Sequence, residues 1–332
     1  MHKKQNGIFT ISLDFELYWG MRDVVSTVQY ADNMSGVPDA IDELLESFRK
    51  YDIHVTWAIV GFLYFSSIEE LKNNMPKKKP GYSNEELDLY RYIDSKDFLE
   101  PAYHFAPDVI EKIDNYKNQE IGTHTFSHYY CLENGQTKDE FYTDIEYAIK
   151  TAKNKTGKDI RSLVFPRNQW NEEYLSVLES LGILCYRGNE KSWIYDAVDE
   201  EKKTSLTRRV LRLLDSYFNF TGHNTYSLQE LSSKRIFNIP ASRFLRPASQ
   251  QFNLLEKMRL RRIKRSMTYA AENNQLFHLW WHPHNFGKDI DSNMAFLEKI
   301  LEHYKELSVD YNMQSLNMGE VASLLKELDH NT

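Results

Sequence analysis

The chain has 332 residues, of which 41% are hydrophobic, 27% charged and 14% aromatic, and its formal net charge is -7 at pH 7. That apolar share supports a large core and excludes a disordered or fibrous protein, while the acidic balance argues against a general nucleic-acid binder. No apolar run reaches the roughly 18 residues of a membrane span, and two cysteines, Cys131 and Cys185, imply no disulfide framework and fit a reducing compartment.

The start, MHKKQNGIFTISLDFE, is basic but has no apolar core region and no small-residue cleavage site. No secretory leader is expected from it, and the cytoplasm is the expected setting. Residues 7–16 then read as a strand that ends in acids. Val37 to Tyr51 reads as a helix, with Pro38 in its first turn and Ile41, Leu44, Leu45 and Phe48 at helical spacing. His54 to Val60 is a second strand, Phe105 to Asn118 a helix, and Glu120 to Gly122 a short strand. Thr137 to Thr156 is a helix stopped by Gly157. Strands at 162–165 and 183–186 flank a helix at 171–181. After a strand at 275–281 come a helix at 290–307, a last strand near 313–316 and a final helix. Repeated strand–helix pairs predict an α/β fold with a parallel sheet or barrel. Residues 73–101 and 188–250 break the rhythm and read as insertions on one domain spanning 1–332, the first of them as a surface excursion.

Polar clusters follow the strands. Asp14 and Glu16 are two apart at the end of the first strand, so an extended chain aims both to one side. His124 and His128, four apart after the 120–122 strand, can offer two imidazoles to one metal, from a helical turn or from a loop. One added carboxylate makes a set with open positions, which suits a catalytic divalent metal. Arg167, in Phe165-Pro166-Arg167-Asn168-Gln169, can hold a carboxylate bidentately and keep it ionised. In Trp280-Trp281-His282-Pro283-His284, His282 emerges where a general acid would stand, with His284 two residues on. Clusters that all follow strands map to one rim of an α/β fold.

These segments resemble the polysaccharide deacetylase family (the nodulation-deacetylase homology domain, carbohydrate esterase family 4). The likeness rests on Ser12-Leu13-Asp14-Phe15-Glu16, His124-Thr125-Phe126-Ser127-His128, Phe165-Pro166-Arg167 and Leu279-Trp280-Trp281-His282. It implies a distorted (β/α)7-type barrel with insertions. Here the first motif has its acids separated by Phe15, Arg167 follows the proline instead of preceding it, and the family's later Asp motif has only Asp196 and Asp199 as candidates. The resemblance further implies Glu16, His124 and His128 as ligands of a divalent metal, Zn²⁺ first. Asp14 would be the general base, Arg167 its partner and His282 the general acid, with His284 in reserve.

The reaction implied is removal of an N-acetyl group from an amino sugar. A cytoplasmic setting favours a nucleotide- or lipid-linked precursor of a surface polysaccharide. Trp281, Asn168, His284 and Arg246 are the substrate-binding candidates; no pattern in the sequence aims Arg243 or Arg246 inward. No nucleic-acid partner is expected. The basic segments around Arg208, Arg209 and Arg212 and from Lys257 to Arg265 suit either a solvated helix face or a peripheral contact with the inner membrane surface. Two rival readings share these residues: a glycan-binding protein without turnover, and an amidohydrolase for a small non-sugar amide.

Overall fold

The computed structural model describes residues 6–198, 206–232, 236–248 and 253–329. Its centre is one sheet. The strands are β1 (Ile8–Phe15), β2 (Val55–Ile59), β3 (Gln119–Thr123), β4 (Ser162–Val164), β5 (Cys185–Arg187), β6 (Tyr226–Ser227), β7 (Phe237–Asn238), β8 (Arg243–Phe244), β9 (Gln275–Trp281) and β10 (Gln314–Ser315). Their order is β6-β9-β1-β2-β3-β4-β5-β7, with β10 beside β1 and β8 beside β9. All pairings are parallel except β6 with β9. Parallel strands need helical crossovers, and those helices cover the outer face. The result is a curled, open half-barrel of the expected class.

Alternation along the strands divides the two faces. Ile11, Leu13 and Phe15 of β1, Trp57 of β2 and Phe277, Leu279 and Trp281 of β9 join the large core under the helices. Ser12, Asp14, Arg187 and His278 meet by hydrogen bonds on the other face, inside the curl. The helix Val37–Tyr51 buries Ile41, Leu44, Leu45 and Phe48 and ends at Asp52, which takes a left-handed turn with φ 54°. The helix Lys138–Thr156 starts on a capping box between Thr137 and Glu140 and stops at Gly157, whose φ of 73° suits a residue without a Cβ.

One sequence expectation needs correction. Residues 73–101 are not a mere surface excursion: Leu87, Leu89, Tyr90, Ile93 and Leu99 are buried, and Tyr90 packs edge-on against Phe62. The described parts of 188–250, read as an insertion, add to the sheet. Phe237 and Ile239 donate backbone hydrogen bonds to Leu184 and Tyr186, while Ser242 and Leu245 donate to His278 and Trp280. This segment spans from β5 to β9 across the opening of the curl. Its apolar alternation is short and flanked by polar chain, so periodicity alone gave it no weight.

Candidate active site

Because the main strands are parallel, their C-terminal ends share one rim. Glu16, one residue past β1, and His124 and His128, past β3, bring one ligand atom each to within 4.8 Å of one another. Glu16 Oε2 lies 3.2 Å from His124 Nε2 and 2.9 Å from His128 Nε2. The two histidines come from a loop and not a helix, since Thr125 and His128 have φ of 65° and 53°. Such values are rare for a β-branched residue and need outside support. Asp144 gives it, accepting from the backbone N–H of Phe126 at 2.7 Å, from that of Ser127 at 3.1 Å, and from Ser127 Oγ. Burial pushes Asp144 up to about 7 despite these bonds.

Each imidazole is oriented from behind. His124 Nδ1 faces the Val164 carbonyl at 2.9 Å, so it must donate there, and Nε2 keeps its lone pair toward Glu16. That buried Nε2 has no hydrogen-bond partner. His128 Nδ1 meets Tyr130 Oη at 3.1 Å, and burial holds this histidine at about 4, neutral at pH 7. Burial opposes ionisation of Glu16, but the pull of His282 and the close approach of His124 and His128 outweigh it and keep the carboxyl well below its usual range. Gly20 leaves the room: a Cβ there would lie 2.2 Å from the Glu16 carboxyl carbon. One carboxylate and two imidazoles, with an orphaned nitrogen among them, fit a divalent metal.

Asp14 stands beside this group. Arg187 Nη1 and Nη2 donate to its two oxygens at 2.7 Å each, and further to Ser12 Oγ and Asn168 Oδ1 at 2.9 Å. Burial would raise the Asp14 pKa, but Arg187 outweighs it and the group is lowered. The expected partner, Arg167, lines the cleft but does not pair with Asp14. It pairs with Asp23 and lies 4.4 Å from the Tyr130 ring centroid, behind His128. Arg167 has φ of 56°, in the left-handed region. Arg187 was legible only as the residue after a strand read as ending at Tyr186; one more residue of β5 puts it on the inner face.

His282 Nε2 lies 3.8 Å from Asp14 Oδ2 and 3.5 Å from Glu16 Oε1, and its side chain is 21% exposed. His284 does not face the cleft. It is 2% exposed, stacks behind His282 at 4.9 Å, and burial pushes it down to about 3. Trp281 is also excluded from the cleft: it is fully buried and stacks on Phe286 at 5.5 Å. Its neighbour Trp280 takes the inner face, under the Arg187 guanidinium at 4.1 Å. Period-two alternation decides between them. Asn168 and Arg246 do line the cleft, whose volume is about 320 Å³, and Asp196 lines it too. Asp199 lies outside the described residues.

Residues 23–186 match the family model for polysaccharide deacetylase. The chain belongs to the polysaccharide deacetylase family. The model match omits β1 and β9, but likeness of fold extends across them. A putative polysaccharide deacetylase from Mycobacterium smegmatis superposes with TM-score 0.60 at 12% identity, covering 99% of this chain and 93% of that one. A probable polysaccharide deacetylase from Pseudomonas aeruginosa PAO1 gives 0.58 at 12% identity, with 98% and 92% covered. Puue allantoinase gives 0.58 at 10% identity, with 100% and 94% covered. At such identities the likeness is one of fold. No curated protein matches the sequence. Among the described residues no helix is long and apolar enough to cross a membrane.

Proposed function

We propose that this protein is a metal-dependent hydrolase that removes the N-acetyl group of an amino sugar carried on a nucleotide or a lipid, in surface polysaccharide synthesis. The observation that carries the reading is the buried Glu16–His124–His128 group, with ionised Asp14 beside it and His282 across from it. Zn²⁺ suits this donor set best, because imidazole and carboxylate with open positions make its usual catalytic site. When bound, the metal polarises the acetamide carbonyl and acidifies water.

The chain's own residues supply the rest. Asp14 takes a proton from the attacking water, and the Arg187 fork fixes its orientation and keeps it ionised. His282 donates a proton to the departing amine from the exposed side of the site. His284, buried and neutral, holds the His282 ring by stacking. Asn168 steadies Arg187, and Trp280 offers an aromatic edge to the sugar. A cytoplasmic site of action, with a peripheral membrane contact, belongs to the same proposal: Leu206, Val210, Leu213 and Leu214 form an exposed apolar stripe on the helix Leu206–Asp215.

The test joins metal content to acetate release from N-acetylhexosamine substrates, with His124→Ala and His128→Ala as controls. Near-stoichiometric metal and acetate release, both lost in the variants, support the reading. A metal-loaded protein that only binds glycans points to the binding-protein alternative. Release from small amides but not from sugars points to the amidohydrolase alternative.

A further inference from the structure

The cleft has a second half that the hydrolytic residues do not use. It is built by the segment that bridges β5 and β9 and by the helix Leu206–Asp215, and Arg212, Arg243 and Arg246 line it together with Tyr195 and Ser216. Arg243 is 4% exposed. Its Nη1 donates to Asp215 Oδ2 at 3.0 Å and to the Asp215 carbonyl at 3.1 Å, while Nε and Nη2 are buried without a partner. Asp215 cannot serve the others. It is already engaged by Tyr195 Oη, by the backbone N–H groups of Phe220 and Thr221 and by the Thr221 hydroxyl, with Arg262 at 3.7 Å.

Arg212 donates through Nε to the Ile194 carbonyl at 2.6 Å. Burial lowers its pKa first, and the charges of Arg208 and Arg246 lower it further. Arg246 is part-buried, and burial lowers its pKa, with Tyr195 and Tyr217 nearby. Glu190 also lines this half and attracts Arg212, but neither it nor another carboxylate of the described residues forms an ion pair with Arg212 or Arg246. Guanidinium groups withdrawn from water within reach of one another's charge are costly unless an anion joins them. Phe244 and Trp280, 4.7 Å apart, stand between this basic end and His282. The cleft thus runs from a hydrolytic end, past an aromatic wall, to a fork of unmatched donors.

We infer that Arg212, Arg243 and Arg246 form a phosphoryl-binding subsite, and that the substrate is an N-acetylated sugar bearing a phosphate or diphosphate ester. Planar guanidinium forks match phosphate oxygens, and burial strengthens the charge-assisted bonds. The aromatic wall would lie along the sugar while the ester group reaches the arginines. This inference names the substrate class of the hydrolase proposed above and rests on that reading for the sugar, but the anion site stands without it.

The test is calorimetric titration of the full-length protein with inorganic pyrophosphate at low salt. His128→Ala serves as a background that removes any anion held by metal. Arg212→Gln and Arg246→Gln should each weaken binding about tenfold or more, and Arg246→Lys should recover part of the loss, which an arginine with only a packing role would not do. His128→Ala should keep the binding. Wild-type affinity in both Gln variants, or binding lost only in His128→Ala, overturns the subsite. Melting curves without ligand identify any variant that fails to fold, and the other Gln variant then decides. Acetate release from UDP-N-acetylglucosamine and from a polyprenyl diphosphate-linked N-acetylglucosamine in detergent tells a nucleotide carrier from a lipid one. No preference for either over free N-acetylglucosamine overturns the subsite while leaving the hydrolase intact. Pyrophosphate binding without any acetate release leaves the subsite standing and removes the hydrolase.

Discussion

The two halves of the cleft are built on different terms. In the hydrolytic half every charged side chain is matched: Asp14 by Arg187, Glu16 by two imidazoles, and the loop that carries those imidazoles by Asp144. In the basic half neither Arg212 nor Arg246 forms an ion pair with a carboxylate of the described residues, and the charge of Arg246 works against that of Arg212. The first arrangement is preorganised and spends little on reorganisation during reaction. The second is unsatisfied until something anionic arrives. A site built for chemistry and a site built for recognition therefore differ in whether the protein pairs its own charges.

The sharpest way to break this comparison is Asp14→Asn. Turnover should fall by about 10²–10⁴-fold, the usual worth of a general base, while plasma mass spectrometry still finds the metal. Wild-type turnover would remove Asp14 from its role. Next is a contrast of arginines. Arg187→Met leaves the buried Asp14 carboxylate unpaired, at a cost of about 3–5 kcal/mol. Arg167→Met should cost less activity, because its partners are Asp23 and Tyr130. Urea unfolding and acetate release measured on both variants would show the order, and the reverse order would restore Arg167 as the partner of Asp14.

A third contrast concerns the tandem tryptophans. Trp281→Ala opens a cavity in the core and should cost about 3–5 kcal/mol of stability. Trp280→Ala should cost less stability and weaken substrate binding instead, seen as a raised KM. The smallest effect is on pH dependence. Burial holds His104 at about 4 and His278 at about 3, both below the ordinary 6.5. The folded state then binds fewer protons than the unfolded chain below pH 6.5, so these groups' contribution is full above that pH and is lost as the pH falls toward 4. The melting temperature should drop between pH 7 and pH 5. His278→Asn should flatten that slope, and an unchanged slope would mean that this histidine is not held neutral.

Much of this was legible in the chain. The helix Val37–Tyr51 and the strand β9 have the predicted bounds because their apolar period is strong and their ends carry Pro38 and Pro283. Asp14, Glu16, His124, His128 and His282 stood out because chemistry-bearing residues followed apolar strands. What failed were choices of one or a few residues. Trp281 for Trp280 and Arg167 for Arg187 are errors of facing and of strand length, not of residue type.

The sequence by itself determined the strand–helix rhythm, the parallel sheet and the set of side chains gathered on its rim, because hydrophobic period and local capping act over a few neighbouring residues. Which arginine meets Asp14, which tryptophan faces the cleft and where Arg212, Arg243 and Arg246 converge were decided by the tertiary structure alone. Asp14 and Arg187 are 173 residues apart, and their meeting depends on how far the sheet curls and on the segment that bridges its opening. Those are properties of packing between distant strands, and no local pattern encodes them.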